Sequence, residues 1–113
     1  MTMRMIPHHQ QFDALGDPNR LKLFELLAAS PMAVGELAEK LPISRPAVSQ
    51  HLRVLEAAEL VTHVKSGTKN FYRVDSAGVH VLRDYLDLLW GKVMSDFKVA
   101  AEAAYQHTKG RQR

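Results

Sequence analysis

One stretch of the chain, ISRPAVSQHLRVLEAAELV over residues 43–61, restricts the possible folds more than any other. Its apolar side chains recur at the three- and four-residue spacing of a buried helical face: Val48, Leu52 and Leu55. Its polar side chains share the remaining surface: Arg45, Ser49, Gln50 and Arg53. Ser44 provides a hydroxyl cap for such a helix, and Pro46 is tolerated in its first turn. The stretch therefore predicts a helix that packs on one side and offers a polar surface to a partner on the other.

A second, shorter helix is predicted immediately before this one. The sequence MAVGELAEKLP turns Val34, Leu37, Ala38 and Leu41 inward, and Pro42 ends it. Two short helices joined by so few residues predict a helix-turn-helix, in which the second helix stays exposed. An ordinary helical hairpin within a bundle is the alternative. The polar face of the second helix favours the helix-turn-helix.

The periodicity then changes from helical to extended. The sequence LVTHVKSGTKNFYRVD, residues 60–75, is rich in Val, Thr, Phe and Tyr around an SGTK turn, which predicts a β-hairpin. Tyr72 and Val74 are expected to face the core. Three basic residues flank the turn without a compensating acid: Lys65, Lys69 and Arg73. We interpret the hairpin as a wing that lies along a phosphate backbone, and the alternative is a solvated loop.

Two further helices are predicted before the helix-turn-helix. The sequence QQFDALG predicts a short helix that ends at Gly16 with a left-handed cap. In DPNRLKLFELLAAS, Asp17 is a good N-cap and Pro18 fits the first helical position. The core-facing stripe of this second helix is predicted to be Leu21, Phe24, Leu27 and Ala28.

The last third of the chain returns to helical periodicity. Its apolar stripe consists of Leu82, Leu86, Leu89, Val93, Phe97, Ala100 and Ala104, widened by Tyr85, Trp90, Met94 and Ala101. A helix over residues 77–107 would be roughly 45 Å long, whereas a domain of this size has a diameter of about 34 Å. The surplus apolar surface predicts a partner, most simply a second copy. Alternatively, Gly91 breaks the segment into two helices that fold back on one another.

The composition excludes several classes of protein. The 113 residues fit one domain, and the absence of cysteine excludes disulfides, thiolate metal sites and thiol redox switching. No apolar run is long enough to span a membrane, and the N-terminal MTMRMIPHHQQ lacks a signal-peptide core, so we expect a cytoplasmic protein. No Ser/His/Asp set, glycine-rich phosphate loop or spaced carboxylate pair indicates an enzyme.

The distribution of charge is more informative than the total. A net charge of +3 is only a weak indication of nucleic-acid binding. Between Ser44 and Arg73, however, five basic residues stand against two acidic ones. The positive charge is thus concentrated on the predicted exposed helix and wing, which favours an anionic partner.

Three motifs, in order, resemble the ArsR family of bacterial winged helix-turn-helix transcriptional regulators: ALGDPNRLKLFELL, MAVGELAEKLPISRPAVSQHLRVLEAAELV and GTKNFYRVD. The resemblance covers residues 10–90. It implies a mainly α fold with a small β-hairpin, namely about five helices plus a two-stranded wing, dimerised through the first and last helices. It also implies a single winged-helix DNA-binding domain over residues 1–113, with 76–108 as the C-terminal dimerisation helix or helices.

Many members of this family sense metals, and here the chain departs from their pattern. The positions of the family's thiolate pair hold Ala33 and Gly35, which cannot bind a metal. On the last helix, His80 and Asp84 form the only nearby pair, and their spacing does not match the family's second site. The resemblance is therefore to a subset without metal ligands, for which we expect no metal, no cofactor and an inducer that is unknown or absent. Three histidines leave open a site shared between two subunits: His8, His9 and His107.

The resemblance places the recognition helix at 44–58 and the wing at 61–74. The predicted DNA-binding residues are Ser44, Arg45, Pro46, Ser49, Gln50, His51, Arg53, Lys65, Thr68, Lys69, Asn70 and Arg73. Among them we expect Gln50 and Ser49 to read bases, and Arg45 and Arg53 to contact phosphate or guanine. For His51, packing beside the apolar stripe and contact with a phosphate are both consistent with its position.

The first and last helices supply the predicted dimer interface, which consists of Phe12, Leu15, Tyr85, Leu86, Leu89, Trp90, Val93, Met94, Phe97 and Ala101. The resemblance implies a homodimeric, sequence-specific binder of double-stranded DNA that represses from an inverted-repeat operator. A winged-helix protein-interaction module is the alternative from another class, and an activator that does not repress directly is the alternative within the same class.

Overall fold

The computed structural model describes residues 8–111 of the chain, and their side chains as far as residue 107. Its elements, in chain order, are α1 (His8–Leu15), α2 (Pro18–Ala29), β1 (Met32–Ala33), α3 (Val34–Glu39), α4 (Arg45–Ala57), β2 (Val61–Ser66), β3 (Lys69–Val74) and α5 (Ser76–Arg111). The chain divides into two compact units, one that ends at Leu82 and one that begins at Arg83. The first unit holds the whole winged helix-turn-helix, so the predicted fold class is confirmed.

The N-caps that the sequence predicts for α2 and α4 are both present. Oδ2 of Asp17 accepts from the backbone N–H groups of Asn19 at 2.9 Å and Arg20 at 3.1 Å. Oγ of Ser44 accepts from the backbone N–H of Ala47 at 3.2 Å. Each cap satisfies backbone donors that the first turn of a helix leaves without partners. These two helices therefore begin where their local sequence predicts.

The left-handed cap predicted at Gly16 is wrong. Among the described residues, positive φ angles occur at Glu59 and Gly67. Instead, Arg20 completes the end of α1, because its Nε donates to the carbonyl of Ala14 at 2.6 Å and its Nη2 to that of Asp13 at 3.4 Å. The Gly16 N–H also donates to the Asp13 carbonyl at 3.1 Å, so α1 ends in a backbone turn without the left-handed residue, supported by a side chain from the next helix.

The core of the first unit is centred on the apolar face of α4. Val48, Leu52 and Leu55 are all fully buried, as the sequence predicts. Leu37 of α3 is fully buried as well, while the predicted inward residues Val34, Ala38 and Leu41 pack at its edge. With this face sealed, the remaining surface of α4 is available for other contacts.

The buried face of α2 differs from the predicted one. Leu23 and Leu27 are buried, and Phe24 packs against them at the edge of the core. Leu21 and Ala28 were expected in the stripe but are exposed. Because α2 is apolar around most of its circumference, the spacing of its apolar residues does not select one face.

The hairpin is confirmed and joins a third strand that the sequence analysis missed. The strand order is β1-β3-β2, and both pairings are antiparallel. Met32 and Ala33 were expected to begin a helix, but they are extended and pair with Tyr72 and Phe71 of β3. The prediction failed because the partner strand lies far along the chain. Gly67 turns the hairpin with a φ of 63°, as the first position of a II′ turn requires.

A tight junction joins α1, the end of α4 and the start of α5. Glu59, with a φ of 58°, turns the chain from α4 towards β2. Gly78 lies so close to it that an added Cβ would stand 1.6 Å from the Glu59 carbonyl oxygen. Gln11 of α1 is fully buried, and its Nε2 donates to the carbonyls of Ala58 at 3.2 Å and Gly78 at 3.0 Å. We call these four residues, Gln11, Ala58, Glu59 and Gly78, the junction.

Helix α5 continues through Gly91, so the predicted single helix is confirmed and the broken alternative is wrong. Leu82 is buried, but many large apolar side chains after it are exposed: Leu86, Leu88, Leu89, Trp90, Val93, Met94, Phe97, Val99 and Tyr105. Of the other predicted interface residues, Phe12 and Ala101 are exposed, whereas Leu15 and Tyr85 are half-buried. Their role in a dimer stays a prediction. Among the described helices, none combines the length and apolarity needed to cross a bilayer.

Two glycines of α5 should respond oppositely to alanine. We expect Gly78→Ala to lower the free energy of unfolding by more than about 3 kcal/mol, because its Cβ would clash with fixed backbone. We expect Gly91→Ala to raise it by about 0.5–1 kcal/mol, because nothing lies near that position and alanine favours a helix. Thermal and urea unfolding at one fixed protein concentration measure both. A Gly78→Ala variant as stable as the parent would contradict the close approach.

Gln11 and its neighbour Gln10 form a matched pair for testing the junction. Gln11→Leu keeps the side-chain volume but leaves two buried carbonyls without their donor, and should cost about 1–3 kcal/mol of unfolding free energy. Gln10 reaches only an exposed 3.4 Å contact with the Ala57 carbonyl, so Gln10→Leu should change stability by less than about 0.5 kcal/mol. Equal effects of the two substitutions in urea unfolding would show that the junction hydrogen bonds contribute little.

Candidate nucleic-acid interface

Helix α4 presents three different surfaces besides its buried face. Gln50 and Arg53 lie on its open side and are exposed, together with Pro46. Arg45 and Ser49 lie on the side towards the hairpin, one turn apart. His51 lies on the opposite side, half-buried towards α2. The predicted recognition residues are therefore distributed over the whole exposed surface of the helix.

The two residues on the open side are hydrogen-bonded to each other. Nη1 of Arg53 donates to Oε1 of Gln50 at 3.2 Å. This contact uses only one guanidinium N–H and the Gln50 oxygen, so the Gln50 amide N–H groups and the other guanidinium N–H groups are available to other acceptors. Base edges in the major groove carry such acceptors at N7 and O6 of purines. The pair thus presents several donors side by side on the open surface.

The start of α4 is also suited to an anion. Ser44 is exposed and caps the helix, and Arg45 is exposed in its first turn. No acidic side chain occupies that turn. The partial positive charge of the helix N-terminus and the guanidinium therefore act at the same place.

A cleft of about 450 Å³ separates α4 from the hairpin tip and from α3. Its lining residues are Ala33, Val34, Gly35, Glu36, Glu39, Arg45, Ser49, Thr68, Lys69 and Asn70. Hydroxyl, amide and cationic groups come from the α4 side and from the hairpin, whereas both carboxylates come from α3. The arrangement brings Arg45 and Ser49 to the same cleft as three predicted wing residues, Thr68, Lys69 and Asn70.

The hairpin, which we call the wing (residues 61–74), is exposed over most of its length. All five of its predicted DNA contacts lie at the surface: Lys65, Thr68, Lys69, Asn70 and Arg73. The segment contains no Asp or Glu. Tyr72 is buried at the base of the wing and Val74 is half-buried there, as predicted. The wing is therefore a basic projection fixed at its base.

His51 lies against the N-cap of α2. Its Nδ1 is 3.9 Å from Oδ2 of Asp17, and both side chains are partly covered. The pKa of Asp17 is lowered, first by the hydrogen bond from the Arg20 backbone N–H and then by the Arg20 charge, the Asn19 N–H and His51. The structure thus gives His51 a packing position towards α2. Its contact with a phosphate stays a prediction.

One polar contact between α4 and the wing was missed by sequence reasoning. Nδ1 of His63, on β2, lies 2.8 Å from Oε2 and 3.0 Å from Oε1 of Glu56, on α4. Glu56 and His63 were counted only as a charge and as a strand residue. No signal at this spacing identifies such a pair, because it depends on the angle between the helix and the strand.

Within residues 8–107, whose side chains the structure describes, no group of three or more His, Asp or Glu side chains could hold a metal ion. The residues at the positions of the family's thiolate pair, Ala33 and Gly35, instead line the cleft. The cleft combines cationic and neutral donors from α4 and the wing with two carboxylates from α3.

Comparison with known proteins gives consistent results. A family model described as a helix-turn-helix domain matches residues 15–64. The HTH-type transcriptional regulator Rv2034 of Mycobacterium tuberculosis (strain ATCC 25618 / H37Rv) is 46% identical over 86 residues, which cover 76% of this chain and 80% of that protein. The arsenical resistance operon repressor of Staphylococcus xylosus is 32% identical over 75 residues, which cover 66% of this chain and 72% of the repressor. Among solved structures, an ArsR-like transcriptional regulator from Rhodococcus sp. RHA1 matches with a TM-score of 0.70 and 31% identity, over 83% of this chain and 87% of that one.

Proposed function

The chain belongs to the ArsR family of winged helix-turn-helix transcriptional regulators, and we propose that it is a homodimeric repressor that binds an inverted-repeat operator. The family is a DNA-binding, non-enzymatic class. The observation that carries the proposal is the exposed polar surface of α4 beside a basic wing, with the apolar face of α4 fully buried. Double-stranded DNA offers a major groove that admits a helix and a phosphate backbone that attracts the wing.

Base recognition is assigned to the open side of α4. Gln50 and Arg53 are exposed, and their mutual hydrogen bond holds both side chains ready before DNA arrives. Arg53 can donate to O6 and N7 of guanine, and the Gln50 amide can donate to a neighbouring purine N7. Ser49 lies deeper, in the cleft, and is assigned a contact at the edge of the groove. Pro46 takes part only by packing against the duplex.

Phosphate contacts are assigned to the flanks of this reading surface. The helix start at Ser44 and the guanidinium of Arg45 are assigned to one strand, since Arg45 lines the cleft and Ser44 caps the same turn of α4. The wing contributes Lys65, Thr68, Lys69, Asn70 and Arg73, all exposed. His51 is assigned a secondary contact at most, because it is directed towards α2. These contacts supply affinity without selecting the sequence.

The dimer is proposed to form through α1 and α5. Exposed apolar side chains recur along α5 at helical spacing, including Leu86, Val93 and Phe97. A monomer that left this stripe in water would expose an unusually large apolar surface. The whole chain is then one DNA-binding domain, with residues 76–108 as its dimerisation segment. Two α4 helices related by the dimer axis would read half-sites about one helical turn of DNA apart.

Repression follows from occupancy. A dimer bound over a promoter excludes RNA polymerase from the same stretch of DNA. This mode of action places the protein in the bacterial cytoplasm, where the chromosome lies. An inducer would need to favour a dimer with a different spacing between the two α4 helices. No residue of the chain is assigned to an inducer.

Substitution of Gln50 and Lys69 should separate base reading from phosphate binding. An operator selected from a random pool of DNA duplexes serves as the probe in fluorescence anisotropy at several salt concentrations. Gln50→Ala should lower discrimination against one altered base pair by about 1–3 kcal/mol. Lys69→Ala should weaken binding to all duplexes alike and reduce the slope of log affinity against log salt by about 1. A parent protein that binds every duplex weakly even at low salt would favour the protein-interaction alternative.

Two substitutions on α5 test the dimer. Val93 lies at the centre of the apolar stripe, whereas Leu88 lies on the opposite side of the same helix and is 73% exposed. By light scattering at micromolar concentration, the parent should have twice the mass of one chain. Val93→Glu should shift it to one chain and weaken operator binding at least about tenfold, because a charge would be buried without a partner. Leu88→Glu is the control and should remain dimeric. A monomeric parent would contradict the proposal.

A further inference from the structure

The outer part of the wing lacks any apolar anchor. On β2, Val61 is buried and Thr62 is half-buried, whereas every residue from His63 to Asn70 is exposed. On β3, the first residues covered by other parts of the chain are Phe71 and Tyr72. Two-stranded hairpins are at best marginally stable without further contacts. Strand β1 pairs with β3 only at Phe71 and Tyr72, so the part of the wing beyond these residues is two-stranded. A polar contact at this level therefore adds to the β1 pairing in setting the direction of the wing.

Glu56 and His63 make that contact. An ionised carboxylate can only accept, so the N–H at Nδ1 of His63 donates, shared between Oε2 at 2.8 Å and Oε1 at 3.0 Å. The side chains are 33% and 39% exposed, so the pair lies at the edge of the covered region and not in the core. Because Glu56 belongs to α4 and His63 to β2, the contact links the base-reading helix directly to the wing.

Tyr72 connects this pair to the core. It is the cross-strand partner of His63, and the two rings lie 5.1 Å apart between centroids with an angle of 36° between their planes. Tyr72 is itself 8% exposed and pairs on its other side with Met32 of β1. Burial raises the pKa of the Tyr72 hydroxyl, and the negative charge of Glu56 raises it further while Arg53 opposes this. His63 is thus held between Glu56 and a fixed aromatic ring.

We propose that Glu56 and His63 form a latch that sets the angle between α4 and the wing, and that Glu56 is a positioning residue for DNA binding. The proposal rests on the proposed DNA-binding function. Helical spacing puts Glu56 on the same side of α4 as Arg45 and Ser49, which line the cleft. A wing held at Glu56 therefore keeps Lys69 at a constant distance across the cleft from Arg45. Lys69 and Arg45 can then contact one phosphate backbone without the wing first having to be ordered, which lowers the entropy cost of binding.

The latch predicts a change in operator affinity opposite in sign to the change that simple electrostatics predicts for a substitution of Glu56. Glu56 is a carboxylate on the helix that approaches phosphates, so its charge alone opposes binding. If Glu56 acts only through charge, Glu56→Gln strengthens operator binding. If it holds the wing, Glu56→Gln weakens binding although it removes a negative charge.

Operator affinity is measured by anisotropy for Glu56→Gln and for Glu25→Gln, an exposed residue of α2 that provides the same change in charge. We expect Glu56→Gln to weaken binding about two- to fivefold, because the glutamine keeps one acceptor for the His63 N–H but loses the negative charge and the second oxygen that strengthen this hydrogen bond. We expect Glu25→Gln to leave it unchanged or slightly stronger. His63→Ala should reproduce the loss from the other side of the latch, and His63→Gln, whose amide can donate to Glu56, should restore most of it. Unchanged or tighter binding by Glu56→Gln overturns the latch.

A double substitution tests whether the effect passes through the wing. In a Lys69→Ala background the wing has already lost a phosphate contact, so Glu56→Gln should weaken binding less than it does in the parent. An undiminished effect overturns the route through the wing. Matching melting curves for all variants establish that the fold is intact.

Motion of the wing gives a readout independent of DNA. Because the chain has no cysteine, a single spin label can be placed at Ser66→Cys on the wing, with Lys40→Cys after α3 as the control position. Glu56→Gln should make the label at position 66 more mobile and leave the label at position 40 unchanged. Identical spectra at position 66 overturn the latch. If the parent binds no duplex selectively, the proposed function fails, and these spectra still decide whether the latch exists.

Discussion

The start of α5 passes so close to the end of α4 that Gly78 lies against the carbonyl of Glu59. Only a residue without a Cβ can start α5 at this distance, since an added Cβ would stand 1.6 Å from that oxygen. Gln11 completes the arrangement by donating to the carbonyls of Ala58 and Gly78 from a fully buried position. The end of α4, the start of α5 and helix α1 consequently meet at one point. Helix α1 and the first turn of α5 are thus held against the C-terminal end of α4.

The division of α4 into separate surfaces follows from this anchoring and from the core. Val48, Leu52 and Leu55 are completely buried and so fix the rotation of α4 about its axis. This rotation determines which neighbour each of its other side chains faces. Gln50 and Arg53 point to the open side, Glu56 meets the wing, and His51 meets the cap of α2. A polar helix surface on its own indicates little. The open side of α4 supports a specific proposal for base reading because the residues on either side of it make contacts within the protein that hold the helix in place.

Features that depend on neighbours in sequence could be predicted, and features that depend on distant ones could not. Asp17 and Ser44 were identified as caps because the donors they satisfy are two or three residues away. The turn at Gly67 was similarly local. The strand at Met32, the buried amide of Gln11 and the pairing of Glu56 with His63 all require partners that only the folded chain brings near. The face of α2 was misjudged for a related reason, since Leu21 and Leu23 are equally apolar and only packing chooses Leu23.

The apolar side chains left in water along α5 also bear on how such a regulator would respond in a cell. Suppose that only dimers bind the operator. When the concentration of chains is below the dissociation constant of the dimer, the concentration of dimers rises with the square of the concentration of chains. A twofold rise in synthesis would then give about a fourfold rise in binding-competent molecules. Copy number itself would be the signal, with a steeper response than a single chain could give and without any small molecule.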